Sequence, residues 1–430
     1  MHLEEINPRK IPVETEIGRI PCRLTNPVAA ALMPKEHLYS HAFEEILFQF
    51  CSNLSYRKSS TLLNAIFYRL PDMEVKTSTL NEHIERHGQL ISGHLQQKAE
   101  QTLQQYSINA QNGCIEDPGL IPDSVKFPKC TEGKPLALCA QEPFKEQIEA
   151  FNEKRQPCDQ IKDHALIEAV ETCPQTCVYV SIDDVGVDHQ KDARKDGGQK
   201  QGKRVENTVI HIQTQQECYL ITAIGMKKAF SLVVAFLLSN HLLENRQLYI
   251  FSDGAQNIRK NIEAFFSFCP YTLLLDRYHL DKKMTELLSM ALKGSKDDRH
   301  EIRNALDRKL WACNVNDAVI YLKNLDHKFI KNTQHLEDAI EYLERKQPYI
   351  PCYALMSSLD YRNSSNPVEK ANDLLVAERQ KNNGMSWLYN GSGALAVISA
   401  LLYNRELRSW LIHHEIPFAI PTNLSLQEAA

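Results

Sequence analysis

Three acidic sites in this chain stand where an apolar run stops or a helix opens, and carboxylates so placed are well positioned to bind hard cations. Asp183 and Asp184 follow "VYVSI", Asp253 follows "LYIFS" and precedes a glycine, and Glu369 sits in "NPVE" at the start of a late helical stretch. Mg²⁺ takes oxygen ligands and is commonly held by one or two carboxylates together with substrate phosphates. Two such ions about 3.5–4 Å apart stabilise the attacking and leaving oxygens of a phosphodiester displacement. Asp183 or Asp184, with Asp253 and Glu369, are therefore the candidate metal ligands and catalytic residues. Plainer readings stand beside them. Asp-Asp-Val-Gly and Ser-Asp-Gly are also turn chemistry. Asn366 as N-cap and Pro367 at N1 would put Glu369 at N3, the capping-box position. Further on, "LLLDRYHL" offers Asp276 as a helix cap and His279 as a core histidine.

These residues need a scaffold, and the hydrophobic pattern supplies one. "CVYVSID", "TVIHIQ" and "CYLITAIG" are short apolar runs of strand character; the apolar helix "KKAFSLVVAFLLSNHLL" follows, then "QLYIFSD" and "YTLLLD". The order β-β-β-α-β-α-β predicts an α/β fold with a mixed sheet covered on both faces. Residues 280 to 350 turn helical, with "LDKKMTELLSMALKG", "RHEIRNALDRKLWAC" and "HLEDAIEYLERK".

The N-terminal part also reads as helical. Leu80, Ile84, His87 and Ile91 fall at i, i+4, i+7 and i+11, one stripe of a helix that Thr77 or Ser78 would cap. This helix and the preceding "SYRKSSTLLNAIFYRL", joined by "PDMEVK", form either a helix-turn-helix or a plain helical hairpin. In the first case the second helix offers His83, Arg86 and Gln89 to a DNA groove, and Arg57 and Lys58 lie at the head of the first. Residues 107 to 140 are rich in Pro, Gly and Cys without periodicity, as in a linker.

With 430 residues, 43% of them hydrophobic, the chain is long enough for two or three domains. The first residues show no apolar signal-like core, and the longest apolar run, Leu232 to Leu238, is too short to span a bilayer. A soluble cytoplasmic protein is expected. Of the twelve cysteines only Cys173 and Cys177 are close, as Cys-x3-Cys without a matching pair, which favours isolated reduced thiols over a zinc site. The net charge of −5 does not mark a nucleic-acid binder, so any basic surface must be local. Between Lys191 and Arg204 six basic residues face two acidic ones, and Lys200, Lys203 and Arg204 belong either to a DNA-contacting hairpin tip or to a solvated loop.

The ordered set of Asp183, Asp253 and Glu369, with a long helical segment before the glutamate, resembles the RNase H-like core of DDE transposases. The closer resemblance is to bacterial insertion-sequence transposases related to the Mutator-like group. That group carries an Asp/Cys-x-x-His element after its second aspartate, matched by Asp276 and His279. Its glutamate helix continues into Lys-x-x-Gly-Met-x-Trp, matched by "KNNGMSW", Lys381 to Trp387. Relatives have Asp-Gly where this chain has Asp183-Asp184, so position favours Asp183 as the ligand. The resemblance implies a helical DNA-binding domain over 1–110, an irregular linker over 111–172, and an RNase H-like core over 173–279 and 363–430, interrupted by an all-helical insertion over 280–362. It implies Mg²⁺ or Mn²⁺, as two ions, with Asp183 bridging them and Asp276 and His279 in support. Cleavage and strand transfer at element ends would follow, with terminal inverted repeats and target DNA as partners and a homodimer or higher assembly on DNA. The location implied is a bacterial, nucleoid-associated one. An inactive or domesticated transposase, or an RNase H-like nuclease, would share much of this sequence.

Overall fold

The computed structural model describes residues 10–15, 18–23, 41–67, 74–127, 148–162, 177–190, 204–214, 217–358, 360–381 and 385–420. The chain divides into two compact units: Met1–Leu95, Gly186–Asn207 and Leu374–Phe418 form one, and Gln96–Val185, Thr208–Asp373 and Ala419–Ala430 the other.

The first unit is mainly helical. A short antiparallel hairpin, β1 (Lys10–Thr15) and β2 (Gly18–Arg23), precedes helices α1 (His41–Asn53), α2 (Tyr56–Ile66) and α3 (Thr77–Gln105), whose last part belongs to the second unit. The predicted stripe of α3 is realised, with Leu80, Ile84, His87 and Ile91 all buried. Thr77 is the first residue of α3. Asn64 of α2 fixes the entry to that helix, because its Oδ1 accepts the Val75 N–H at 2.8 Å while its Nδ2 donates to the Val75 carbonyl at 3.2 Å. Two C-terminal helices, Tyr389–Tyr403 and Leu407–His413, pack on α1. The first of them meets α3 at Gly88, where an added Cβ would come 2.2 Å from the Ala394 Cβ, so only glycine permits the approach. Trp387 packs here as a structural residue: it is buried, and its indole N–H donates to the Gln380 carbonyl at 3.0 Å. Its neighbour Gly384 lies outside the described residues.

The second unit is built on five strands, of which the end of β3 and the start of β4 belong to the first unit: β3 (Cys177–Asp188), β4 (Arg204–Gln213), β5 (Cys218–Ile224), β6 (Gln247–Ser252) and β7 (Tyr271–Leu275). Their order across the sheet is β5-β4-β3-β6-β7. β3, β6 and β7 are parallel. β4 and β5 are joined by only residues 214 to 217, too few for a parallel crossover, so the sheet is mixed. Helices α4 (Met226–Ser239) and α5 (Gln256–Phe265) make the crossovers, reproducing the β-β-β-α-β-α-β order. α4 is apolar nearly all round and buried from Ala229 to Leu238, as a helix inside a core must be.

After β7 the described chain is helical: α6 (Arg277–Ala291), α7 (Lys296–Trp311), α8 (Val315–Lys323), α9 (Thr333–Lys346) and α10 (Tyr353–Ser358). These helices share one apolar cluster, in which Leu280, Leu288, Leu306, Leu322 and Leu343 are almost wholly buried. Each such side chain contributes about 1.5–3 kcal/mol. α11 (Asn366–Asn372) then runs into a π-helical turn over Asp373–Ala377, a distortion frequent at functional sites. No helix among the described residues is long and apolar enough to cross a membrane.

Candidate active site

Strand register gathers the carboxylates. Ser181 of β3 pairs with Phe251 of β6, and Ser252 of β6 pairs with Leu275 of β7. Carrying that register past the last pairs aligns Asp183, Asp253 and Asp276 in one row, at the carboxyl ends of three parallel strands, where open α/β sheets bind ligands. The two-residue alternation of a strand puts all three on one face. Cys177 and Tyr179, Tyr249 and Phe251, and Leu274 share that face and form one apolar cluster beneath the row. The expectation that Asp183 and Asp184 close their strand needs correction, because β3 runs on to Asp188; what ends at Ser181 is the pairing with β6, so the aspartates sit on a strand that outlasts its neighbour.

Alternation also separates the two adjacent aspartates. Asp183 Oδ2 accepts a hydrogen bond from Asn372 Nδ2 at 2.5 Å and Oδ1 accepts the Asp184 N–H at 2.9 Å. Asp184 Oδ1 instead accepts the Thr208 hydroxyl of β4 at 2.7 Å. Burial, and then the charge of Glu369, push the Asp183 carboxyl up to about 6. Asp253 accepts the Ala255 N–H at 2.7 Å, an Asx turn that aims the strand end into α5, so the turn reading of this residue is correct as far as it goes.

Asp276 is the N-cap of α6 and is fully buried. Its Oδ2 accepts both the His279 backbone N–H at 3.0 Å and, at 2.9 Å, the ring N–H at Nδ1. Its Oδ1 accepts the Ser365 N–H at 2.6 Å. Burial alone would raise this carboxyl, but the bonds from His279 and Ser365 outweigh it and hold it below its ordinary value. His279 responds in the opposite sense: burial would lower it, and Asp276, Asp183 and Glu369 together hold it above. With Nδ1 committed to Asp276, Nε2 is turned toward Glu369, 3.3 Å from Oε1.

The capping-box reading of Glu369 is overturned. The N-cap of α11 is Ser365, whose side chain makes no cap bond and whose N–H goes to Asp276, so Glu369 stands one position beyond N3 and faces His279. Ligand-type atoms of Asp183, His279 and Glu369 all lie within 4.8 Å of one another. Asp253 falls outside that cluster, although it is close enough to add to the upward shift of Asp183 and Asp184. Sequence reasoning missed Asn372. The signal was its spacing, because i+3 from Glu369 puts it on the same helix face.

The proposed DNA-contacting residues fare unevenly. Arg57 and Lys58 are exposed in the first turn of α2, and Arg204 is exposed at the start of β4. Lys200 and Lys203 lie outside the described residues. His83 is corrected: instead of facing outward it is buried, its Nε2 3.1 Å from Glu44 Oε1 and its ring stacked on Phe48. His87 Nε2 approaches the same oxygen at 3.9 Å. Arg86 is half-buried, its guanidinium 3.3 Å from His83 Nδ1. Arginine only donates, so that ring nitrogen accepts and Nε2 carries the hydrogen toward Glu44. Cys130, Cys139 and Cys173 fall outside the described residues, and neither grouping of three or more ligand-type side chains among the described ones contains a cysteine.

No protein-family model matches the chain, and no curated protein matches it. Among solved structures the chain is similar to a Drosophila P element transposase strand transfer complex, at 9% identity and a TM-score of 0.21, with 61% of this chain and 69% of that chain covered. Superposition at that score is too loose for any residue to be carried across.

Proposed function

We propose that this protein is a metal-dependent DNA transposase of the DDE class with an RNase H-like core, cleaving DNA at the ends of an insertion element and joining it to target DNA. Asp183, Asp253 and Glu369 would hold Mg²⁺ or Mn²⁺. The observation that carries this reading is the convergence of Asp183, His279 and Glu369 within 4.8 Å at the ends of parallel strands. The donor set fits a divalent cation. Two carboxylates crowd one spot, and one is raised by burial and by the other's charge, a stress that a cation relieves. When bound, such ions neutralise charge at the scissile phosphate and activate water.

The protein's own residues prepare the site. Asp276 locks the tautomer and orientation of His279, as carboxylates do for metal-site histidines. Asn372 positions Asp183 through its amide. His279 Nε2, held beside Glu369, can give a proton to that carboxylate or take one from it.

Incubating the full-length protein with duplexes carrying the flanking inverted repeats, with and without Mg²⁺, tests the proposal. Metal-dependent nicking at the repeat boundary is expected, followed by joined products. A protein that binds these ends but never cuts them would be a DNA-binding descendant instead. A hydrolytic nuclease would use the same carboxylates and predicts cleavage without joined products.

A further inference from the structure

Beside the carboxylates lies a cavity of about 310 Å³, near the lower end of volumes that hold small ligands, ~300–1,000 Å³. Its walls come from the turn after β6, from one face of α6 and from the last turn of α9. Asp253 and His279 line the side nearest the carboxylate row, and Lys282, Lys283, Arg345 and Lys346 line the rest. His279, Lys282 and Lys283 fall at i, i+3 and i+4, so a single helix face carries both the site histidine and two of the cations. Against these four positive charges the lining sets only Asp253 and Glu286, an excess of two in a chain whose net charge is −5.

Each cation has a plain role available. Lys282 Nζ lies 5.9 Å from the centroid of the Tyr278 ring, Lys283 pairs with Glu286 at 3.5 Å, and Arg345 and Lys346 complement the carboxyl end of α9. Those roles leave their convergence unexplained, since like charges gathered around one cavity repel. Lys346 shows the strain most directly: burial and then Arg345 hold its ammonium below the ordinary lysine value, while it donates to the carbonyl of Gly254. An anion in the cavity removes the repulsion. A phosphodiester suits it, because lysine and arginine bind phosphate both as charges and as hydrogen-bond donors.

We infer that the helical segment after β7 builds a phosphate subsite from Lys282, Lys283, Arg345 and Lys346, which holds a backbone phosphate of the DNA strand next to the one positioned over Asp183, Asp253 and Glu369. The inference rests on the proposed reaction for the identity of the strand. It gives the insertion a role in binding: α6 and α9 grip the substrate that the strand ends cut.

The test is DNA binding by the full-length protein in EDTA, which separates it from cleavage. A labelled duplex is titrated across a range of salt concentrations for the wild type, for Lys282→Ala/Lys283→Ala/Arg345→Ala, and for the charge-matched control Lys293→Ala/Lys296→Ala/Lys331→Ala. Each lost phosphate contact lowers the slope of log affinity against log salt by about 0.9. The cavity variant, which loses the hold on one phosphate, is expected to lose about 0.9 in slope, and the control to keep the wild-type slope. Lys282→Arg/Lys283→Arg should restore binding and exclude misfolding as the cause. Equal slopes for both triple variants overturn the inference. So does binding of AMP or inorganic phosphate that is lost in the cavity variant while duplex binding is unchanged, because the subsite would then serve a free nucleotide. Loss of Mg²⁺-dependent cleavage in the wild type, with the slope difference intact, would sink the transposase reading and leave the subsite standing.

Discussion

Asp276 caps the helix that carries His279 and accepts that histidine's ring N–H with the same oxygen, at 3.0 Å from the backbone nitrogen and 2.9 Å from Nδ1. Its other oxygen takes the N–H of Ser365, the residue before the helix that bears Glu369. One buried carboxylate thus ties together the two helices that present His279 and Glu369. The capping reading of Asp276 is correct, and the oxygen that caps the helix also holds the His279 ring.

Asp276→Asn keeps an oxygen for the cap but loses the charge that holds His279 up. The imidazole titration followed by NMR is expected to move to lower pH, and metal affinity to fall about 10–100-fold. Stability should drop by about 1–3 kcal/mol, since buried donors lose a charged acceptor. An unchanged imidazole titration would show that Asp276 does not set the state of His279.

Asp183 carries the opposite prediction for stability. Its carboxyl is raised from the ordinary 3.8 to about 6, so the folded metal-free protein holds a proton that the unfolded chain releases in that window. Stability therefore falls as pH rises from about 4 to 6 through this group, and the penalty persists above. Asp183→Asn should make the metal-free protein more stable at pH 7 by about 1–3 kcal/mol while abolishing cleavage and metal-induced stabilisation. Metal affinity of the wild type should rise with pH through about 6 and then level off. Asp184→Asn, whose side chain meets Thr208, should keep most of the cleavage activity. Reversed phenotypes at 183 and 184 would place the ligand at Asp184.

Glu44 tests the first unit. It is fully buried with His83 and His87 beside it, and removing one member of a buried charged group typically costs about 3–5 kcal/mol. Glu44→Ala should destabilise by that order in chemical denaturation, whereas His83→Ala should weaken DNA binding only in proportion to its loss of folded protein. Loss of binding in a fully folded His83→Ala protein would return His83 to the DNA surface.

Much of the second unit was legible because its strands are short apolar runs, each stopped by an acidic or turn-forming residue. Parallel strands paired in register carry Asp183, Asp253 and Asp276, which follow those runs, to the same level. The helical segment after β7 was legible from periodicity. Two features were not. Packing of the helix Tyr389–Tyr403 on α1 is a contact between segments more than 300 residues apart, which local pattern does not encode. His83 was misread because a polar residue beside an apolar stripe looks exposed. Glu44, on another helix, is what makes its burial tolerable, since buried polar groups need partners.

Glu369 decides between two roles at a single atom level. Glu369→Gln keeps the shape and hydrogen-bonding capacity of the side chain but removes its charge. If Glu369 were only helix-terminal, that change would cost a few tenths of a kcal/mol and spare activity. As a metal ligand, it should eliminate Mg²⁺-dependent cleavage while leaving the fold and metal-free DNA binding intact. It should also lower the Asp183 carboxyl toward its ordinary value, because the charge of Glu369 is the second cause of its elevation, after burial. Glu378, exposed beyond the π-helical turn, is the control, and Glu378→Gln should cut DNA at the wild-type rate. An active Glu369→Gln protein paired with an inactive Glu378→Gln protein would move the third ligand across that turn.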